Sequence, residues 1–252
     1  MAPAAVSTRE RGVLAIEADG HWVLINMSPA VAHQLEVDER LGRHDGLPDA
    51  PVRALVLTDA QVDHVGGLLS LRDGAPINLY ATPVVFEELT TSLPVLPVLQ
   101  HYCGVHWHVV PVAGDRRVAQ FQVEGLPSLA FTALAIEAPV PRHSQHHEHP
   151  IVGSTIALAV QDLTTGQRVF CAPGLSRIGA TEFDWMKSAD CLLVDGLDDE
   201  TPVPGAVPPS DWVDLLAGLP ARHKVLLARE GQGDAFSQRG IALAYDGMEI
   251  QL

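Results

Sequence analysis

Residues Leu55 to Gly74 read LVLTDAQVDHVGGLLSLRDG. An apolar run, Leu55-Val56-Leu57, gives way to a short polar stretch carrying Asp59, Gln61, Asp63 and His64, and then to Gly66-Gly67 and an apolar-periodic segment. The pattern predicts a buried strand, a loop and a helix in direct succession. Loops at the ends of buried strands are where a rigid scaffold presents functional groups. A carboxylate beside an imidazole is half of a divalent-metal site, so Asp63 and His64 are the first candidate ligands, with Asp59 a weaker one.

Outward from this stretch, the chain has the bulk for one large layered core. Its 252 residues are 47% hydrophobic, and no shift in composition divides them, so a single domain over 1–252 is expected. The uninterrupted apolar stretches fall well short of the roughly 18 residues that cross a bilayer. The opening MAPAAVSTRERG lacks the basic start and apolar segment of a secretion signal, which makes a cytoplasmic location the expectation. Cys103, Cys171 and Cys191 are far apart and odd in number, fitting reduced thiols rather than a disulfide framework or a paired-cysteine zinc site. A formal charge of −15 argues against nucleic acid or an anionic membrane surface as partner.

Taken in order, Val13–Glu17 and Trp22–Met27 are β-prone runs around Asp19-Gly20, a hairpin signal. Ser28-Pro29 opens a helix expected to reach Glu36, with Ser28 as its cap and Asn26 able to face a site. Ile77–Ala81 is a strand, and Thr82-Pro83 caps a helix to about Ser92 that Pro94 and Pro97 terminate. His106 and His108 alternate on one β-prone face, where a packing or surface role outweighs metal binding. Val109–Val112, Val118–Val123 and Leu129–Ile136 continue as strands. Ser154–Val160 and Arg168–Cys171 form a hairpin through Thr165-Gly166, Ala180–Lys187 a helix, Cys191–Val194 a buried strand, Ser210–Leu216 a helix capped by Ser210, and Lys224–Leu227 a strand. Two sheets face to face with helices outside suit this order.

Two further places carry ligand-type residues. PRHSQHHEHP, Pro141 to Pro150, holds His143, His146, His147 and His149 within seven residues, bracketed by prolines. Such tracts bind metal either specifically or adventitiously. Asp195 follows the buried run CLLV, and a carboxylate buried there needs a counter-charge, for which a cation is the natural choice.

The spacing Asp59-x-Gln61-x-Asp63-His64 resembles the His-x-His-x-Asp-His signature of the metallo-β-lactamase superfamily. It is more similar still to the PqqB family within it, whose members carry Asn or Asp at those first histidines. LINMSP at 24–29, LYATPVV at 79–85, CAPG at 171–174, LLVDG at 192–196 and AYDGMEIQL at 244–252 extend the resemblance over most of the chain. The resemblance implies an αββα sandwich with a metal site along one edge of the two sheets. It implies a ligand histidine in the loop before the strand opening with Gly153-Ser154, a position His149 fits, and a ligand role for Asp195. The relatives' cysteine-rich structural zinc motif has no counterpart here. Their Gly-His-x-Pro stretch is Gly205-Ala206-Val207-Pro208, and a later ligand histidine is replaced in Ala228-Arg229-Glu230, which leaves Glu230 as a substitute oxygen donor.

The candidate metal set is therefore Asp63, His64, His149 and Asp195, with Asp59, His143, His146, His147 and Glu230 behind them. Mixed oxygen and nitrogen donors suit Fe(II) oxygen chemistry, while Zn(II) would serve hydrolysis; the residues leave the metal open and the resemblance favours Fe(II). By resemblance the protein hydroxylates a tyrosine-derived amino acid or small peptide during pyrroloquinoline quinone or related biosynthesis. Arg142, Arg177 or Arg229 would meet its carboxylates, and a homodimer is allowed. Two alternatives stand beside this: a non-catalytic homologue that binds or carries precursor or product, and a zinc hydrolase.

Overall fold

The computed structural model of the chain describes residues 13–32, 52–195, 209–227 and 236–252. Strand β1 (Leu14–Ala18) turns into β2 (His21–Ile25) through Asp19 and Gly20, whose φ of 54° and 75° meet the demand of a tight hairpin for two left-handed residues. β2 lies parallel to β3 (Val52–Val56), which lies parallel to β4 (Ile77–Ala81), which lies parallel to β5 (Val105–Val109). These five strands form the first sheet in chain order.

The second sheet runs β12-β11-β10-β9-β8-β7-β6. Its strands are β6 (Val118–Phe121), β7 (Leu129–Ala135), β8 (Ile156–Asp162), β9 (Arg168–Ala172), β10 (Cys191–Val194), β11 (His223–Leu226) and β12 (Ala242–Leu243). Pairing is antiparallel from β6 to β9 and parallel from β9 to β12.

Successive residues of a strand point to opposite faces, and both faces here are covered. Val23, Ile25, Ala54, Val56 and Tyr80 of the first sheet meet Phe131, Ala133, Ile156, Leu158 and Val160 of the second in a shared inner core. Their neighbours Leu24, Leu55 and Leu79 point the other way, beneath α2 (Pro83–Thr90) and α3 (Val95–Gln100). On the far side, Leu134, Phe170, Leu192 and Val194 pack under Met186 of α4 (Ala180–Lys187) and Trp212 and Leu216 of α5 (Pro209–Gly218). The layers are helix, sheet, sheet, helix: the expected αββα sandwich. Among the described residues, no helix is long and apolar enough to cross a membrane.

Two expectations need correction. Pro97 does not follow a helix but lies in the first turn of one, α3, where the missing proline N–H would have had no intrahelical acceptor. Val110 and Val112 extend no strand: Val110 N–H bonds Ala81 O at 2.9 Å, Val112 N–H bonds Val110 O at 2.8 Å, and both side chains fill the inner core. His106 and His108 do share a face; His106 is exposed, and His108 stacks on Tyr80 with ring centroids 4.4 Å apart. Ser28 caps as expected, its Oγ accepting from Val31 N–H at 3.2 Å. The helix end at Glu36 lies outside the described residues, and Ser210, expected as a cap, falls inside α5, which already includes Pro209.

The decisive stretch forms β3, then α1 (Val62–Val65) and a 3-10 turn (Gly66–Leu71). Gly67 is the point of closest approach there. Its N–H bonds Met27 O at 2.9 Å, and a Cβ at this position would stand 2.2 Å from Ser28 O and 2.9 Å from Met27 Cγ. Because backbone cannot yield as a side-chain tip can, Gly67→Ala is expected to destabilise the fold by about 1–3 kcal/mol, measured by urea unfolding; an unchanged midpoint would refute this account of the contact.

Candidate functional site

Strands β2 and β3 run parallel and end side by side, so the two chain segments leaving them meet at one end of the sandwich. Asn26, fully buried with a left-handed φ of 64°, begins the first segment. Its N–H bonds Val56 O at 2.8 Å, and its side chain clasps Thr58: Oδ1 accepts from Thr58 N–H at 2.9 Å, and Nδ2 donates to Thr58 Oγ1 at 2.9 Å. Left-handed backbone is tolerated best, after glycine, by Asn and Asp. With its lone pair taken by Asn26, the single proton of Thr58 Oγ1 goes to Asp59 Oδ2, also at 2.9 Å; the charge makes this the stronger choice over Asn26 Oδ1 at 3.1 Å.

Asp59 is 2% exposed and His64 8%. Asp59 Oδ1 accepts from Gln61 N–H at 2.8 Å, and His64 Nδ1 lies 2.7 Å from Oδ1 and 2.9 Å from Oδ2, so Nδ1–H is shared across the carboxylate. Burial alone pushes the Asp59 carboxyl up. The charge and hydrogen bond of His64, together with the Gln61 and Thr58 bonds, outweigh it and hold the group below its ordinary value. The backbone is tied as closely: Met27 N–H bonds His64 O at 2.6 Å, and Ile156 N–H at the start of β8 bonds Thr58 O at 2.9 Å. Thr155, beside it, has a buried hydroxyl without a hydrogen-bond partner among the described residues.

The chain matches the family model described as a beta-lactamase superfamily domain over residues 21–227. It is 35% identical over 272 residues to coenzyme PQQ synthesis protein B of Methylobacillus flagellatus, covering 97% of this chain and 88% of the relative. The like-named protein of Klebsiella pneumoniae is 34% identical over 259 residues, covering 92% of this chain and 82% of the relative. The chain belongs to the PqqB family. Zn(2+)-bound PqqB from Methylobacterium extorquens superposes with a TM-score of 0.76 at 25% identity, covering 94% of this chain and 86% of that one. Human tRNase Z, short form, shares the fold alone, with a TM-score of 0.65 at 14% identity over 97% of this chain and 93% of that one.

Within this PqqB-family frame, the residues that replace the superfamily's first two signature histidines have structural work. Asp59 orients His64, and Gln61 Nε2 donates to Pro139 O at 3.0 Å, linking the turn to the segment before the histidine-rich loop. Both oxygens of Asp59 are committed, so it acts as the brace of an imidazole. A carboxylate on one ring nitrogen fixes the orientation of the other.

The remaining candidates differ in exposure and partners. Asp63 is exposed on α1, and His147, Glu148 and His149 are exposed. His146 and His143 are half-buried; His147 Nδ1–H donates to Val140 O at 3.0 Å. Asp195 is half-buried, its N–H bonding Ala172 O at 3.2 Å and its charge near the Cys171 thiol. Burial first, then Cys191 and Asp195, push that thiol up to about 12, and burial pushes Cys191 up to about 11, so neither supplies a thiolate at neutral pH. Arg142 is exposed, Arg177 makes a surface pair with Glu137 at 3.6 Å, and Glu230 and Arg229 lie outside the described residues. Among the described residues, no three His, Cys, Asp or Glu side chains gather as a metal site.

Sequence reasoning passed over Thr58 and undervalued Asn26 and Asp59. The signal available was a polar pair, Thr58-Asp59, directly after a buried strand beside an asparagine ending its parallel neighbour.

Because its carboxyl lies below the unfolded value of about 3.9, Asp59 contributes stability that is present above that pH and lost as pH falls through the lower folded value. Asp59→Asn is expected to cost about 3 kcal/mol at neutral pH and to flatten the loss of stability below about pH 4. Urea unfolding of both proteins across that range is the measurement; equal acid slopes would refute the pairing.

Proposed function

We propose that this chain serves pyrroloquinoline quinone biosynthesis, or the making of a related peptide-derived cofactor, by binding a tyrosine-derived amino acid or small peptide at the Asp59–His64 turn. The observation that carries this reading is the buried, charge-assisted Asp59–His64 pair at the strand end. Membership of a family whose relatives are named for PQQ synthesis supports the biosynthetic context. With Nδ1 donating to Asp59, the His64 ring is held in one orientation, and an imidazole so held suits recognition of the acidic hydroxyl of a phenol. The carboxylate stabilises whatever positive charge the ring takes up.

The braced imidazole also suits the second reading, a metal-dependent hydroxylase, because metal-bound histidines are held by carboxylates in the same way. An Fe(II) ion held by His64 would supply oxygen activation, and a Zn(II) ion, as in the Zn(2+)-bound PqqB of Methylobacterium extorquens, would supply hydrolytic chemistry. Among the described residues no three donors gather for either ion.

Calorimetric titration of anaerobic, chelator-treated protein with a Glu-Tyr dipeptide, before and after Fe(II) addition, tests the choice. The expected result is binding in chelator, unchanged by Fe(II) and weakened about tenfold or more by His64→Ala, equivalent to about 1.4 kcal/mol. Binding that requires Fe(II), with oxygen consumed, would establish the hydroxylase instead; no binding under either condition would overturn both readings.

A further inference from the structure

Helix α2 carries an acidic residue on its buried stripe. Val84, Val85, Glu88 and Leu89 are the helix positions turned inward, and Glu88 is 2% exposed. One carboxylate oxygen, Oε1, accepts the hydroxyl proton of Ser144 from the histidine-rich loop. The other, Oε2, is buried with no hydrogen-bond partner among the described residues. A leucine would fill the stripe without that desolvation cost. Where a chain departs from its own local pattern at a cost in stability, a functional site is the expected reason.

The loop to which Ser144 belongs, residues 139–155, begins and ends on the candidate site. At its start Pro139 O accepts from Gln61 Nε2 at 3.0 Å, and just past its end Ile156 N–H bonds Thr58 O at 2.9 Å. Gln61 and Thr58 are also the residues that bond the Asp59 carboxylate, through the Gln61 N–H at 2.8 Å and the Thr58 hydroxyl at 2.9 Å. Between those ends α2 holds the loop twice. Thr82, the cap of the helix, donates its hydroxyl to Gly153 O at 2.7 Å, and Glu88 holds Ser144. Ser144 passes this hold to its own turn: its N–H bonds Pro141 O at 3.0 Å, and its Oγ accepts from His146 N–H at 2.9 Å.

We propose that Glu88 is a positioning residue for the Asp59–His64 site. Through Ser144 it fixes the loop whose two ends are bonded to Gln61 and Thr58, the partners that orient Asp59. The role rests on the reading of that turn as the binding site. What Glu88 supplies is an acceptor for the serine hydroxyl, so its oxygen matters and its charge does not.

Three substitutions test this. Glu88→Leu removes the acceptor and keeps the packing, Glu88→Gln keeps an acceptor without the charge, and Ser144→Ala removes the same bond from the loop side. Amide hydrogen exchange in Glu88→Leu should rise about tenfold or more at His146 and His147, whose N–H groups bond Ser144, and at Gln61. Affinity for the Glu-Tyr dipeptide, read by calorimetry, should fall about tenfold, while the urea midpoint is no lower than that of wild type. Ser144→Ala should match these losses, and Glu88→Gln should restore wild-type exchange and affinity. Exchange at Gln61 and affinity unmoved in both Glu88→Leu and Ser144→Ala would overturn the proposal and leave Glu88 a packing residue. Equal losses in Glu88→Gln and Glu88→Leu would overturn it as well, by assigning the effect to the charge. Should wild type bind no dipeptide, the binding reading falls by itself; faster exchange at Gln61 in Glu88→Leu and Ser144→Ala still supports the positioning role, and unchanged exchange there overturns it.

Discussion

The clasp between Asn26 and Thr58 is the constraint on which this end of the molecule depends. Parallel strands deliver two chain ends side by side, and each must turn away without abandoning buried backbone groups. Asn26 solves both needs by entering left-handed conformation and offering its amide to the Thr58 N–H and hydroxyl. That leaves one hydroxyl proton, which goes forward to the charged oxygen of Asp59, and Asp59 in turn holds His64. A chain of this kind is stabilising when every member is satisfied and costly when one is missing, because each lost partner strands a buried polar atom.

The frame around the clasp was legible in the sequence because burial on both faces of a strand leaves near-continuous apolar runs and turns leave glycine, proline and asparagine behind. Ile77–Ala81 and Cys191–Val194 follow directly from such runs. Pro97 misled because a proline early in a helix and a proline after one look alike in one dimension. The site was legible only in part. Asp59, Asp63 and His64 are adjacent in the chain, yet Asp59 and His64 turn inward while Asp63 faces solvent on α1. A count of donor residues cannot separate them; only the dihedral geometry of the turn does.

The same limit applies to the histidine-rich tract. Four imidazoles within seven residues suggest convergence, but the segment is a succession of tight turns, Pro141 to Ser144, Ser144 to His147, His146 to His149, each closed by its own backbone bond. Successive turns fan side chains outward, which accounts for the exposure of His147 and His149. What the tract does contribute inward is a serine, through its bond to Glu88.

Glu88 was hidden for the opposite reason. It sits in VVFEELTT where the periodicity of α2 calls for an apolar side chain, and a reader looking for ligand clusters passes over a single acid on a helix. A helix that packs four inward positions could have used leucine there at no loss of burial. Retaining a carboxylate imposes a desolvation cost that the Ser144 bond offsets only at one oxygen. The two features join through the loop: Pro139 is held by Gln61 of the turn, and Ser144, five residues later, is held by Glu88 of α2. A segment fastened at both points cannot shift at one without straining the other. The acid buried on α2 therefore bears, through Ser144 and Pro139, on the segment that Gln61 holds beside the Asp59–His64 turn, a link that its distance along the chain conceals.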